Sequence, residues 1–120
     1  MKFIESKKRL YVALLKLMSE EKVFTIHKLN RKSLASMLGT NEKYLYDILK
    51  ECAGLSYSEY IISLRLEYAC LLLSGPNNNL LVEEIGRQAG FASRKTFHRQ
   101  FQKNYGMSPT QYRHKIINNK

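Results

Sequence analysis

The stretch GFASRKTFHRQF, residues 90–101, brings Arg94, Lys95, His98 and Arg99 close together in sequence and interleaves them with Phe97 and Phe101. No acid offsets them: from Ile85 to Lys120 there are eight Lys or Arg and no Asp or Glu. Guanidinium and ammonium groups are hydrogen-bond donors only, and the planar arginine fork matches two adjacent acceptors. Their chemistry is recognition of an anion or of an acceptor-rich edge. A second cluster, Lys43, Tyr46, Asp47 and Lys50, mixes one carboxylate with two cations.

The spacing predicts the elements that hold these groups. At about 100° per residue, Phe97, Phe101 and Tyr105 share one face of a helix over about 93–105, capped by Ser93 and closed by Gly106. Lys95, Arg99 and Gln102 lie opposite, with Arg94 and His98 on the flank. A helix over about 42–53 opens after Asn41. It turns Leu45, Leu49 and Cys52 inward and Lys43, Asp47 and Lys50 outward, with Glu42 and Tyr46 on the flank. Leu10, Leu14, Leu17 and Met18 mark a helix over about 6–20. The stretch EEKVFTIHKLN reads as a loop. Asn30 caps a short helix, about 31–38, with Leu34 and Leu38 inward. Ser56 and Glu59 form a capping box that opens a long helix to about residue 73. The sequence SGP ends it, and the asparagines at 77–79 form a polar loop. Helices over about 82–89 and 109–117 complete the chain, the last with Pro109 in its first turn. No strand is expected. The fold class is all-α, with about seven helices.

The chain also repeats itself. GLSYSEY (54–60) and GMSPTQY (106–112) share G-x-S-x-x-x-Y at an offset of 52, as do Leu45 and Leu49 with Phe97 and Phe101. Gly39 matches Gly90, and Leu34 matches Ile85, at an offset of 51. Each copy reads as a short helix, a glycine turn, a longer helix and a capped helix. A tight glycine turn between two helices is the unit that presents its second helix to DNA. The expected division is 1–57 for the first such unit with an N-terminal helix, 58–74 for a linker helix and 75–120 for the second unit. The sixteen helical residues expected over about 58–73 span about 24 Å.

Composition narrows the class. Of 120 residues, 44% are hydrophobic and 25% charged, an ordinary globular balance, and the formal net charge is +10. That excess favours nucleic acid first and an acidic membrane surface second. Cys52 and Cys70, the two cysteines, read as small core residues rather than a disulfide framework, which fits a reduced, cytoplasmic setting. The opening MKFIESKKRLYV is too short and too charged for a secretory signal. No apolar run approaches the ~20 residues of a membrane span. No histidine has a second ligand at helical spacing, and no phosphate loop or nucleophile elbow is present. No metal, cofactor or catalytic residue is expected.

Two segments carry a family likeness: LASMLGTNEKYLYDILKECAGLSYSEYIISLRLEYACLLL and EEIGRQAGFASRKTFHRQFQKNYGMSPTQYR. With their GF-x-S turn, aromatic pair four apart and YGMSPTQYR, they resemble the AraC/XylS family of bacterial transcription regulators over about residues 30–115. The resemblance implies two helix-turn-helix subdomains joined by a long linker helix. It implies sequence-specific binding of double-stranded DNA by a monomeric segment, transcriptional activation and contact with RNA polymerase. It implies base contacts from Lys43, Tyr46, Asp47, Arg94, Lys95, His98 and Arg99. Arg31, Ser33, Lys50, Ser93, Lys103 and Arg113 become the candidates for phosphate contacts. Any small-molecule effector is expected on another segment, and the chain is either a small stand-alone regulator or the DNA-binding end of a longer protein.

The sequence departs from the family at three places. Asp47 stands where a basic or small polar residue is usual, and it would have to accept from cytosine or pair with Lys43 or Lys50. Leu81 replaces a capping serine or threonine. Gly86 replaces an alanine, which lowers helix propensity by about 1 kcal/mol but permits close packing. Two other classes were weighed. One is a basic helical module that meets an acidic protein partner and binds DNA only incidentally. The other is a DNA-repair methyltransferase, which shares this helical unit but requires a reactive, accessible cysteine.

Overall fold

A computed structural model of the chain describes residues 2–75 and 79–118. Seven α-helices are present among them: α1 (Lys2–Glu20), α2 (Arg31–Met37), α3 (Glu42–Ile48), α4 (Tyr57–Ser74), α5 (Val82–Ala89), α6 (Arg94–Tyr105) and α7 (Pro109–Asn118). No strand occurs among the described residues. Most of the expected loop after the SGP turn, Pro76 to Asn78, lies outside them. The chain divides into two compact units, Met1–Ile61 and Ile62–Lys120. The division falls inside α4, which gives Tyr60 and Ile61 to the first buried core and Leu66, Ala69 and Leu73 to the second.

In the first unit α2 packs on α3, and α1 packs on α3 and on the turn that follows it. Leu14, Leu34, Leu45, Ile48 and Leu49 are almost fully buried. The stretch after α1, expected as plain loop, holds a 3-10 turn, Val23–Thr25, entered through Lys22 in the left-handed region at φ 47°. Val23 and Phe24 are buried there, so this segment belongs to the core. Asn30 caps α2 by accepting from the Ser33 amide, while the Ser33 hydroxyl accepts from the Asn30 amide in return.

One expected feature is corrected here. The helix over 42–53 is α-helical only to Ile48 and continues as a π turn, Leu49–Ala53, closed by the Gly54 amide on the Leu49 carbonyl. The wider i→i+5 winding advances each residue by less than the α-helical angle. Cys52 therefore falls behind its expected position and is exposed rather than core. Ile48, left out of the expected inward set, is fully buried instead.

The second unit is built on aromatic rings. Phe91, Phe97 and Phe101 join Leu66, Ala69, Leu73, Ile85 and Ala89 in one buried cluster, with Tyr105 and Tyr112 packed against it. α5 packs on α6, and α6 on α7. Between α5 and α6 the backbone passes through Gly90 at φ 111°, a conformation that a residue with a Cβ rarely adopts. The repeat partner Gly39 turns at φ 69°. Gly86 allows the close helix contact expected of it: a Cβ built there would stand 2.5 Å from a Phe97 ring carbon.

The two capping boxes of the repeat are both formed. Ser56 and Glu59 exchange bonds of 3.2 and 2.9 Å at the start of α4. Ser108 and Gln111 do the same at 3.1 and 2.9 Å at the start of α7. α5 has no such device: Leu81 is its N-cap residue, extended at ψ 148°, without a side-chain cap bond, and is 63% exposed.

Two substitutions test this packing. Leu81→Ser supplies the missing acceptor at an exposed position and is expected to stabilise the protein by about 0.5–2 kcal/mol, read as a higher melting temperature. Gly86→Val drives branched carbon into the buried Phe97 ring and is expected to destabilise it by about 1–3 kcal/mol or more. An unchanged melting temperature for Gly86→Val would mean that α5 and α6 are not in close contact.

Candidate nucleic-acid interface

The second unit fixes α6 by its apolar face. Phe97 and Phe101 are 0% exposed. Phe97 stacks tilted on Phe91 at 5.1 Å, and Phe101 meets Tyr105 at 4.7 Å and Tyr112 edge-on at 5.5 Å. Such ring pairs add roughly 0.5–1.5 kcal/mol each beyond burial. They leave the helix little freedom to roll about its axis. The opposite face carries Lys95, Arg99 and Lys103, all exposed and spaced at i, i+4, i+8. Ser93 caps the helix, accepting from the Thr96 amide and donating to the Thr96 hydroxyl, so its own hydroxyl is committed there.

Arg94 is exposed and held. Its Nε forms an ion pair with a Glu83 carboxylate oxygen at 2.9 Å, from the first turn of α5. A small cleft lies between the two helices, bordered by Glu83, Arg87, Ala92, Ser93 and Arg94, with Phe91 and Phe97 at its floor.

His98 departs from its expected role. It is half-buried, edge-on to Phe97 at 5.7 Å, and its Nε2 is shielded from solvent without a hydrogen-bond partner. Flank positions lie between the two faces of a helix, and here the neighbouring aromatic surface claims the ring. Burial lowers the imidazole pKa, and the Arg94 charge lowers it further, against an opposing pull from Glu83. This Nε2 is not presented outward with Lys95 and Arg99.

Arg113 is also reassigned. Its Nη1 donates to the Leu80 carbonyl at 2.8 Å, and its Nη2 is buried. The guanidinium thus ties α7 to the strand of chain just before the uncapped start of α5. Thirty-three positions separate the two groups, so no local pattern announced the bond. The Ser33 hydroxyl is likewise occupied, donating to the Asn30 carbonyl as well as accepting from its amide.

In the first unit α3 exposes Lys43 and Tyr46, the latter 56% exposed, the π turn after it exposes Lys50, and Arg31 is exposed at the start of α2. Asp47 does not point straight out with the two lysines. It is half-buried on the side facing α1, where its charge and that of Glu51 act on Lys7. Lys7 Nζ bonds both Glu51 oxygens at 2.9 and 3.0 Å, and this hydrogen bond is the main reason its pKa is raised. Lys43 and Lys50 are the cations that sequence spacing sets near Asp47; the fold adds the charge of Lys7, forty positions upstream on α1 and bonded to Glu51. Leu45 and Leu49 stand where the second unit has phenylalanines. Beside them a groove of about 410 Å³ opens, lined also by Arg31, Glu42, Tyr46 and Tyr57.

An all-α protein with two glycine-turned helix pairs, the second pair showing a basic outer face on its second helix, is a helix-turn-helix protein. The helix-turn-helix domain family matches residues 34–115. The chain is 34% identical to the Msm operon regulatory protein of Streptococcus mutans over 72% of its length, covering 30% of that protein. It is 31% identical to the lactose operon transcription activator of Staphylococcus xylosus over 74% of its length, covering 32% of that protein. Thus it spans about a third of the length of these curated relatives. The solved DNA-binding domain of the transcription factor AdpA, in complex with a target DNA, shares its fold at TM-score 0.79 and 19% identity, over 92% of this chain and 95% of that one. The chain belongs to the AraC-type helix-turn-helix family of transcription regulators. Among the described residues no helix is long and apolar enough to cross a membrane.

The half-buried imidazole gives a pH prediction. His98 has a folded pKa below its ordinary 6.5. The stability that comes with its neutral form is complete above 6.5 and is lost as pH falls through the lower folded value. Melting temperatures followed from pH 8 to 5 should fall more for the native chain than for His98→Gln. Parallel curves would mean that His98 takes its proton without penalty.

Proposed function

We propose that this chain binds a specific, asymmetric site on double-stranded DNA through α3 and α6 and regulates transcription there. The observation that carries the reading is the two-faced α6, with aromatic rings fully buried on one side and Lys95, Arg99 and Lys103 exposed on the other. Each recognition helix enters a major groove, and the two grooves lie about one turn, roughly 34 Å, apart. Because the two helices differ in sequence, the half-sites differ as well.

Arg99 reads guanine through its O6 and N7 acceptors, with Lys95 beside it and Arg94 at the start of the helix. Lys43 and Tyr46 read the other half-site. Arg31, Lys50 and Lys103 contact phosphates, which fix register without reading sequence. The uncompensated charge of residues 85–120 favours this polyanionic partner. No step in this mechanism uses a cofactor or a reactive side chain. Activation through RNA polymerase is the expected outcome at a promoter, in keeping with the name of the Staphylococcus xylosus relative.

The test is selection of bound sites from random duplex, read by sequencing, followed by titration of the selected site. Affinity should fall at least roughly tenfold as salt rises fourfold, because several counterions are released on binding. Arg99→Ala should relax preference at one base position by about 1–3 kcal/mol and leave the other half-site unchanged. A preference over random duplex below about tenfold would point instead to a basic module for an acidic protein partner, since specific binders exceed their non-specific affinity by ~10³ or more.

A further inference from the structure

We propose that Glu83 is a positioning residue that restricts Arg94 to one recognition geometry, and so determines specificity at the base that Arg94 faces. The inference rests on the DNA-binding reading above and adds a residue to it. The controlling observation is the ion pair between Arg94 Nε and Glu83 Oε1 at 2.9 Å, with both side chains well exposed, 68% and 50%.

Stability does not account for this pair. An ion pair between two solvent-exposed side chains contributes little to folding. Arg94 is moreover the first residue of α6, where the positive end of the helix dipole disfavours a cation. Glu83 offsets this repulsion from the first turn of α5, where a carboxylate is welcome. The consequence lies in the geometry of the guanidinium. Arginine can offer an acceptor pair either its two terminal nitrogens or one terminal nitrogen together with Nε. With the Glu83 carboxylate 2.9 Å from Nε, that edge of the guanidinium is crowded, and the terminal edge is the one left clear to meet O6 and N7 of guanine in the major groove. The carboxylate also places a negative charge at the rim of the interface. That charge discourages Arg94 from swinging to a phosphate, where it would carry no sequence information.

The pair is within reach of only a few other charges. On α6 His98 responds to both Arg94 and Glu83. On α5 Arg87 borders the same cleft. Glu83 is the acid that pairs with Arg94, and its removal should release the side chain rather than transfer it to a neighbour.

The experiment compares selected-site motifs for the native chain, Glu83→Ala, Glu83→Gln, Arg94→Ala and the double variant, with circular dichroism to verify that each is folded. Glu83→Ala is expected to lower guanine preference roughly tenfold at one position, the same one affected by Arg94→Ala. Affinity for random duplex should hold or rise, since a negative charge has left the interface. Glu83→Gln keeps the acceptor oxygen and should retain most of the preference. The double variant should lose no more than Arg94→Ala alone. A native motif in Glu83→Ala would overturn the proposal, as would a uniform loss at every position. So would an unchanged motif in Arg94→Ala with a shallower salt dependence, which would make Arg94 a phosphate contact. A native chain that selects no motif would instead refute the DNA-binding reading itself.

Discussion

The orientation of α6 depends on the contact between its buried rings and the backbone of α5. Phe97 lies over Gly86 so closely that a Cβ there has no room. This contact fixes the roll of α6, and the roll fixes everything on the far side of the helix. Lys95, Arg99 and Lys103 share one exposed row because Phe97 and Phe101 share the opposite one. A binding surface made of long, flexible cations would otherwise have no defined direction. The rings give it one and cost the outer face nothing.

The second unit holds its ends with unlike devices. α6 and α7 are capped by serine side chains from their own chain neighbourhood. α5 lacks a side-chain cap and has the chain before it tied by Arg113 from α7. A cation drawn into that role serves the packing of the unit, so a basic sequence overstates the number of positive side chains left without an intramolecular task. The same holds for Lys7 in the first unit, whose charge is met by Glu51 and Asp47. The exposed positive row of α6 stands out more clearly once these are set aside.

The two units are copies with different fillings. Leucines at 45 and 49 leave a groove beside α3, whereas rings at 97 and 101 close the corresponding place in a stacked cluster. α3 also ends in a π turn, while α6 runs as regular α-helix to Gly106. Repetition of a motif therefore guarantees the arrangement of helices but not how tightly each recognition helix is held.

The sequence by itself determined the helices, their caps and the inward faces of α1, α2 and α6, because these follow from local hydrogen bonding and from a 3.6-residue period. It also determined the repeat and the family. Only the tertiary structure decided which polar groups stay free. Arg113 on Leu80, Lys7 on Glu51, Arg94 on Glu83 and the shielded imidazole of His98 each arise from residues brought together by packing, not by sequence spacing. Cys52 went astray for a related reason: a single π turn shifts every later side chain around the axis, and its hydrogen bond leaves no mark in a periodic pattern. Local periodicity places a side chain on a face, but what that face meets depends on helices folded from distant parts of the chain.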